Sequence, residues 1–442
     1  MRSNHARVRV AISLYLLCLV AVNVSVWGWF VVHRHTPGHH FPLGERIERF
    51  GDLLRFSGKF QYGKDHRIVD GEHLVGTLFP KNYPPFAATV YLFLLQVCAP
   101  YALAVFLAAI FAGFGAASFL LWCKVRSLPG YAWPAGASIF LTGLFGWGTL
   151  QVAMRGNIEG FMWIAVWIGA ALYAQRRYNG AGAAFGVACC LKPYPVLWFG
   201  LMARYGKFRG IVVGLLTSAA VTLASLEVIN VNPLRAYRQL RAKDTFFTNY
   251  VVAFRPMPEM TGDHSLLQTM KTIARVVRNR GLAFGPWDYH HHPSYPLAWT
   301  LYHASLPLAA AIGLVTLWLV WNKPVLNQIF ALATVTTLLP PVSGDYTLTI
   351  LLIPMGFFLI VLLEDVAQGK TPMSMFQMLW FLLPCAWIMA CDPIWVLHGP
   401  LKTLALTVLL AASVAVPVPS TLFGEVAPEK ANTVHEMMLH AA

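Results

Sequence analysis

Charged side chains are scarce in this 442-residue chain: they make up 12% of it, and only 19 residues are acidic. Soluble domains carry roughly 25% charged residues. Half of the expected charge is therefore missing, which excludes a soluble enzyme, a disordered protein and a nucleic-acid reader. The formal net charge of +14 does not bring nucleic acid back, because the basic residues stand between long apolar runs, where they set membrane topology. Cysteine provides no framework either. Cys18, Cys98, Cys123, Cys189, Cys190, Cys385 and Cys391 are odd in number and lie in or beside apolar segments without zinc spacing; they read as small buried hydrophobes. There is no internal repeat and no low-complexity tract. A cleavable signal is absent as well. Arg2, Arg7 and Arg9 lead into Val8–Val32, which is too long for a signal core and has no small-x-small site after it, so it reads as a retained first helix with a cytoplasmic N-terminus.

What the chain has is apolar length, with 57% hydrophobic residues and a mean hydropathy of +0.56. At roughly 20 residues per crossing, this predicts an all-α integral membrane protein of about twelve transmembrane helices. Residues 1–416 form a single polytopic domain and 417–442 a cytoplasmic tail. Two outer loops, 33–100 and 230–295, carry interfacial helices. The first contains Phe86–Val97, too short to cross and suited to an interfacial or re-entrant helix. Tyr101–Cys123 then crosses inward to Lys124 and Arg126, as the positive-inside rule requires. Trp133–Ala153 goes out and Ile158–Ala174 returns to Arg176–Arg177. The next apolar stretch breaks at Lys192-Pro193-Tyr194-Pro195. Both of its flanks, Arg176–Arg177 and Arg204–Lys207–Arg209, are basic. Ala181–Leu191 and Val196–Ala203 therefore read as two short helices that enter and turn back, a break tolerated only beside a cavity or other protein. Ile211–Ile229 leads to the second loop. Helices near Leu297–Trp321, Val325–Leu339, Tyr346–Leu363, Met375–Ala390 and Leu401–Val416 follow, with Lys323 and Lys370 on inner connections.

The outer segments hold the chemistry. In the second loop Leu234, Tyr237 and Leu240 form one helical stripe beside Arg235, Arg238 and Arg241, and Leu266, Met270, Ile273 and Val277 form another beside Lys271, Arg275 and Arg278. Such basic amphipathic helices lie at headgroup level, and arginines among them are also suited to gripping a phosphate. Asp52, in Phe50-Gly51-Asp52-Leu53, sits at the membrane rim, where partial desolvation favours a general base. A loop cap or an ion pair is its plain alternative, and Asp65, Asp70 and Glu72 compete with it. Arg155-Gly156-Asn157-Ile158-Glu159 opens a helix with an Asn cap and an acid in the first turn, which helix capping alone explains. Lys192 lies between the short helices, where an ammonium is costly unless paired. Pro340–Tyr346 is a rigid turn with Asp345 at the mouth of a helix, an N-cap or a site acid. The histidines His33, His35, His39, His40 and His290–His292 lack matching carboxylates and read as exposed loop residues rather than metal ligands.

Together these segments resemble the GT-C superfamily of membrane glycosyltransferases and, more narrowly, glycosyltransferase family 87, which uses polyprenyl-phosphate mannose. The resemblance rests on Asp52, on Tyr83-Pro84-Pro85-Phe86 before a short helix, and on the Gly156-Asn157 helix start. Gly182–Leu191 followed by Lys192-Pro193-Tyr194-Pro195, the segment His264-Ser265-Leu266 and the Pro340–Tyr346 turn complete it. It covers roughly Asp52 to Pro354. Gly156-Asn157-Ile158-Glu159 departs from the family's Gly-Gln-x-Asn, and Gly344 and Asp345 stand where an aromatic and a histidine are frequent. The resemblance implies an inverting transfer of mannose or another sugar from a polyprenyl phosphate to a glycolipid or glycan acceptor. The active site would lie on the periplasmic or extracellular face of a bacterial inner membrane. Asp52 would be the general base, with Asp345 and Glu159 as the other site carboxylates. Lys192, Arg155, Asn157, Tyr83, His264, Arg241 and Tyr346 would bind substrate. No metal and no cofactor is expected. The competing class is a transporter or flippase of a lipid-linked or anionic substrate, which also uses broken helices.

Overall fold

The computed structural model describes residues 15, 17–25, 28, 32, 84–98, 101–126, 146–234, 236–238, 263–277, 295–367, 373–390 and 398–423. Among these residues the chain is all helical and forms no strand. The first part comprises α1 (Pro85–Leu92, continued by a π turn Phe93–Val97), α2 (Ala102–Val125), α3 (Trp147–Arg155), α4 (Glu159–Ala174) and α5 (Tyr178–Leu191). Pro193 ends α5: the residue before a proline is driven into extended backbone, and Lys192 has φ −152° and ψ 146°. A 3-10 turn (Tyr194–Trp198) and α6 (Phe199–Arg204) then carry the chain back to the start of α7 (Phe208–Val228). The second part comprises α8 (Leu266–Val277), α9 (Tyr295–Val320), α10 (Val325–Leu338), a 3-10 turn (Asp345–Leu351) running into α11 (Leu352–Ala367), α12 (Met375–Met389) and α13 (His398–Ala415).

Among the described residues four stretches are long and apolar enough to cross a membrane: Ala102–Cys123, Phe208–Val228, Trp299–Val320 and Asp345–Asp365. They occupy two kinds of position. Asp345–Asp365 is 94% buried, a central rod sheathed by other helices, whereas the stretches of α7 and α9 are each only 17% buried. Their outward faces carry Leu215, Leu216, Leu223, Leu314, Val315 and Trp318, an apolar surface that water does not tolerate at this extent. Six shorter apolar helices complete the set among the described residues.

Among the described residues the core is one large apolar cluster with a small second one of Ala88, Leu226, Ile229, Val231 and Ala236. On one side Phe185 packs against Trp198 and Phe199, and Phe114 meets Trp167 edge-on. On the other, Phe330, Phe358 and Phe381 pack mutually at 4.9–5.9 Å. Several polar side chains within it bond nearby backbone carbonyls. Thr334, Thr336 and Thr337 donate to carbonyls of their own helix. The fully buried Lys402 donates to the carbonyls of Trp387, Ile388 and Ala390, capping the end of α12. Asn327 does the same for α13 through Ser413 and Val416 and accepts from Val418 N–H. Beyond that cap Leu422 is buried and the Phe423 ring lies 5.2 Å from Phe357.

α5 and α7 run parallel in very close contact. Gly182 abuts the Gly210 carbonyl, Gly186 the Gly214 carbonyl, and Cys190 Sγ donates to the Ser218 carbonyl at 3.3 Å. Each helix contributes a Gly-x-x-x-Gly step, which lets backbones approach as larger residues cannot. A single methyl group at Gly186 would strike the Gly214 carbonyl. Gly186→Ala is expected to destabilise by about 1–3 kcal/mol, the usual cost of overpacking. Gly200→Ala, where a Cβ meets nothing within 4 Å, is expected to be neutral. Thermal unfolding of the purified variants in detergent checks both.

The parallel arrangement brings the two basic flanks together, as the paired-helix reading expects. Lys207 Nζ lies 4.9 Å above the Tyr178 ring, Arg204 donates to the Trp321 carbonyl and, at 2.9 Å, to Asn322, and Gln175 donates to the Leu120 carbonyl at 2.6 Å. Arg126, Arg176, Arg177, Arg204, Lys207, Arg209 and Lys323 thus collect at one end of the bundle.

Candidate functional site

The opposite end gathers the polar residues around the start of α4. Gly156 closes α3 in the left-handed region (φ +62°), its N–H returning to the helix's last carbonyls. That turn delivers Asn157, whose Oδ1 accepts from Glu159 N–H at 2.9 Å, so the capping role expected of Asn157 is present. Tyr91 on α1 pins the same turn: its hydroxyl accepts from Ile158 N–H at 2.9 Å and donates to the Gly156 carbonyl at 3.1 Å. Glu159 is thereby fixed with its side chain 3% exposed. Its Oε1 lies 3.4 Å from the ammonium of Lys192, which is 22% exposed. The ion pair joins the entry of α4 to the exit of α5 and makes the cost of Lys192 at this depth bearable. Tyr194, just beyond Lys192, is half-buried, with its hydroxyl buried toward Glu159 and its ring 5.6 Å from Trp163. The guanidinium of Arg155 lies 5.4 Å above the Tyr346 ring, a cation–π distance.

A second polar group adjoins the first through Tyr346. Asp345 was expected either to cap its helix or to serve the site, and it makes no capping bond. One carboxylate oxygen instead accepts from Trp147 Nε1 at 3.0 Å and the other faces His264 Nδ1 at 3.6 Å. His264 Nε2 contacts Ser343 Oγ at 3.0 Å and Thr347 Oγ1 at 3.1 Å. The backbone around it is stapled down: Asp263 Oδ1 accepts from Ser265 N–H and Ser343 N–H, and His264 N–H donates to the Ser343 carbonyl. The middle of the second loop is thus fastened to the Pro340–Tyr346 turn. Ser343 and His264 are fully buried, which gives this group a structural character. Lys192, by contrast, is partly open.

The structure therefore brings together Glu159, Lys192, Asn157, Arg155, Tyr346, Asp345 and His264 at one end. Asp52, Tyr83 and Arg241 lie outside the described residues. Tyr91, Trp147, Tyr194, Asp263, Ser343 and Thr347 were not singled out from the sequence. The stripe on α8 also sits differently from a helix that buries its apolar face in the bundle. Leu267, Gln268 and Lys271 are buried, and Ile273, from the apolar stripe, is 57% exposed. Leu234 and Tyr237 of the preceding segment are exposed too. Leu266 and Met270 of the α8 stripe are half-buried, while Lys271 of the basic stripe beside it is buried. Among the described residues no group of three or more His, Cys, Asp or Glu side chains gathers to hold a metal. Comparisons with family models, with curated proteins and with solved structures return no match.

Proposed function

We propose that this protein is an inverting membrane glycosyltransferase that takes its sugar from a polyprenyl phosphate and works at the end of the bundle around Glu159 and Lys192. The observation that carries the reading is the partly open Lys192 ammonium, held by a buried carboxylate, at the end opposite the basic collar. By the positive-inside rule the collar is cytoplasmic, so the site faces outward, where a lipid-linked sugar is presented on bacterial inner membranes. Lys192 and Arg155 supply cationic charge for a phosphodiester, and Tyr346 and Asn157 shape the wall beside them. Polar side chains concentrate at this end of the bundle, an arrangement that suits surface chemistry better than passage through the bundle.

In this mechanism Asp52 accepts the proton of the acceptor hydroxyl as its oxygen attacks the anomeric carbon. The bond from that carbon to the phosphate oxygen breaks with inversion, and polyprenyl phosphate departs with the bonding pair. The negative charge growing on the phosphate is met by fixed cations, the preorganised stabilisation that usually dominates such sites. The acceptor is a glycolipid or glycan.

The test is purified protein in detergent with polyprenyl-phosphate mannose, then other polyprenyl-phosphate sugars, and candidate acceptors. Sugar transfer with release of polyprenyl phosphate is expected, and no membrane gradient is needed. A protein that moves the intact lipid-linked sugar across vesicle bilayers without transferring it is a transporter, and the proposal fails.

A further inference from the structure

We propose that the basic collar holds an anionic phospholipid of the cytoplasmic leaflet, with its phosphate seated in a notch between Arg177, Arg204 and Lys207. The notch follows from the pairing of α5 and α7. Gly182 abuts the Gly210 carbonyl, so the first turns of these parallel helices stand side by side at the collar end. A left-handed residue just ahead of each, Arg176 (φ +61°) and Gly206 (φ +65°), turns the chain into the helix. Arg177 and Lys207 thereby come to the two N-cap positions. Lys207 Nζ rests over the Tyr178 ring, which bridges the two turns. Neither helix has a side-chain cap or an acid in its first turn, so their positive ends add to the charge of these side chains.

Arg204 closes the notch from α6. Its guanidinium donates to the Trp321 carbonyl and to Asn322 Oδ1 and lies 5.4 Å from the Tyr205 ring and 5.6 Å from the Trp321 ring. It is held in place while further N–H groups remain for a ligand, and a guanidinium matches phosphate oxygens. Among the described residues no carboxylate forms an ion pair with Arg177, Arg204, Lys207 or Arg209. An anion from outside the bundle relieves their mutual repulsion. The neighbouring surface decides which anion. Phe208, Val212, Leu215 and Leu216 are exposed along one helical stripe of α7 that begins at its first turn. Tyr205 and Trp321 are exposed beside the cations, as aromatic rings are at headgroup level. A phosphate joined to acyl chains meets both the charge and the stripe, and basic pockets beside spanning helices on the cytoplasmic side take such headgroups.

The experiment titrates the full-length protein in detergent with phosphatidylglycerol and with phosphatidylcholine of the same acyl chains, counting bound lipid by native mass spectrometry. Phosphatidylglycerol is expected to bind at least tenfold more tightly. Lys207→Gln should lower its affinity about fivefold, the usual contribution of one basic residue near an anionic surface. Lys207→Gln combined with Arg177→Gln should lower it about twenty- to thirtyfold, and phosphatidylcholine should be unaffected. If the double variant does not fold, Lys207→Gln decides alone. Equal binding of the two lipids, or phosphatidylglycerol binding that Lys207→Gln leaves unchanged, overturns the proposal. So does an equal loss in Arg238→Gln, which removes an exposed cation beyond the other end of α7, because the attraction would then be undirected. Inorganic phosphate that displaces the lipid at equal concentration makes the notch a site for free phosphate and overturns the lipid assignment. None of these outcomes touches the glycosyltransferase reading, whose residues lie at the opposite end.

Discussion

Asp52→Asn should leave expression and donor binding intact while reducing sugar transfer by about 10²–10⁴-fold, the range typical of losing a general base. The substitution keeps shape and hydrogen-bonding capacity and removes only the proton acceptor. Asp52 follows the first helix by about twenty residues, close enough to stay at the membrane surface, where the anomeric carbon of a lipid-phosphate sugar must lie. In the sequence Asp52 follows Gly51, a residue suited to turns, and is flanked by the apolar Phe50, Leu53 and Leu54. The rival role is an ion pair with Arg49 or Arg55 that ties the loop down. In that case Asp52→Asn lowers thermal stability and leaves turnover per folded molecule nearly unchanged. Measuring both on one preparation decides between them, and near-wild-type turnover would move the base to Asp345 or Glu159.

Lys192→Ala should weaken donor use by about ten- to a hundredfold. A hydrogen bond to a charged group contributes about 1.5–3 kcal/mol, and each 1.4 kcal/mol is a factor of ten. Lys192→Arg, which keeps the charge, should lose less. Removing the lysine also takes an ion-pair partner from the buried Glu159, so part of any loss in the single variant is destabilisation. The double variant Lys192→Ala with Glu159→Gln removes that component. It should regain thermal stability and still use donor poorly. Recovery of donor kinetics together with stability would assign Lys192 to structure alone.

The helical class and the helix boundaries were legible because apolar periodicity and prolines determine them locally. Pro193 stops α5, Pro324 precedes α10, and Ser374 forms a capping box with Gln377 at the start of α12. The paired short helices were legible from charge alone, since Arg176–Arg177 and Arg204–Lys207 had to share a side. That Lys192 needs a partner was legible from its cost in an apolar run, and the structure pairs it with Glu159. What stayed hidden depends on partners distant in sequence. Trp147 meets Asp345 across 198 positions and Tyr91 meets Ile158 across 67; nothing local marks an indole or a phenol as a clamp. Asp345 has the local setting of an N-cap, yet Trp147 and His264 draw its carboxylate away. The glycine steps at 182–186 and 210–214 were visible in the sequence, but their meaning appears only when two helices are known to pair. Lys402, a lone cation in an apolar run, acquires its role from carbonyls of α12 that only the fold delivers.

The central claim is that a lipid-linked sugar phosphate is bound at Lys192. The most direct measurement is a cryo-electron microscopy structure of the full-length protein in lipid with polyprenyl-phosphate mannose. The account predicts lipid density entering between helices at the end opposite the basic collar. Its phosphate should lie within hydrogen-bond distance of Lys192 Nζ, with the sugar directed towards Asp52. The donor's phosphate seated instead among Arg177, Arg204 and Lys207 would contradict it.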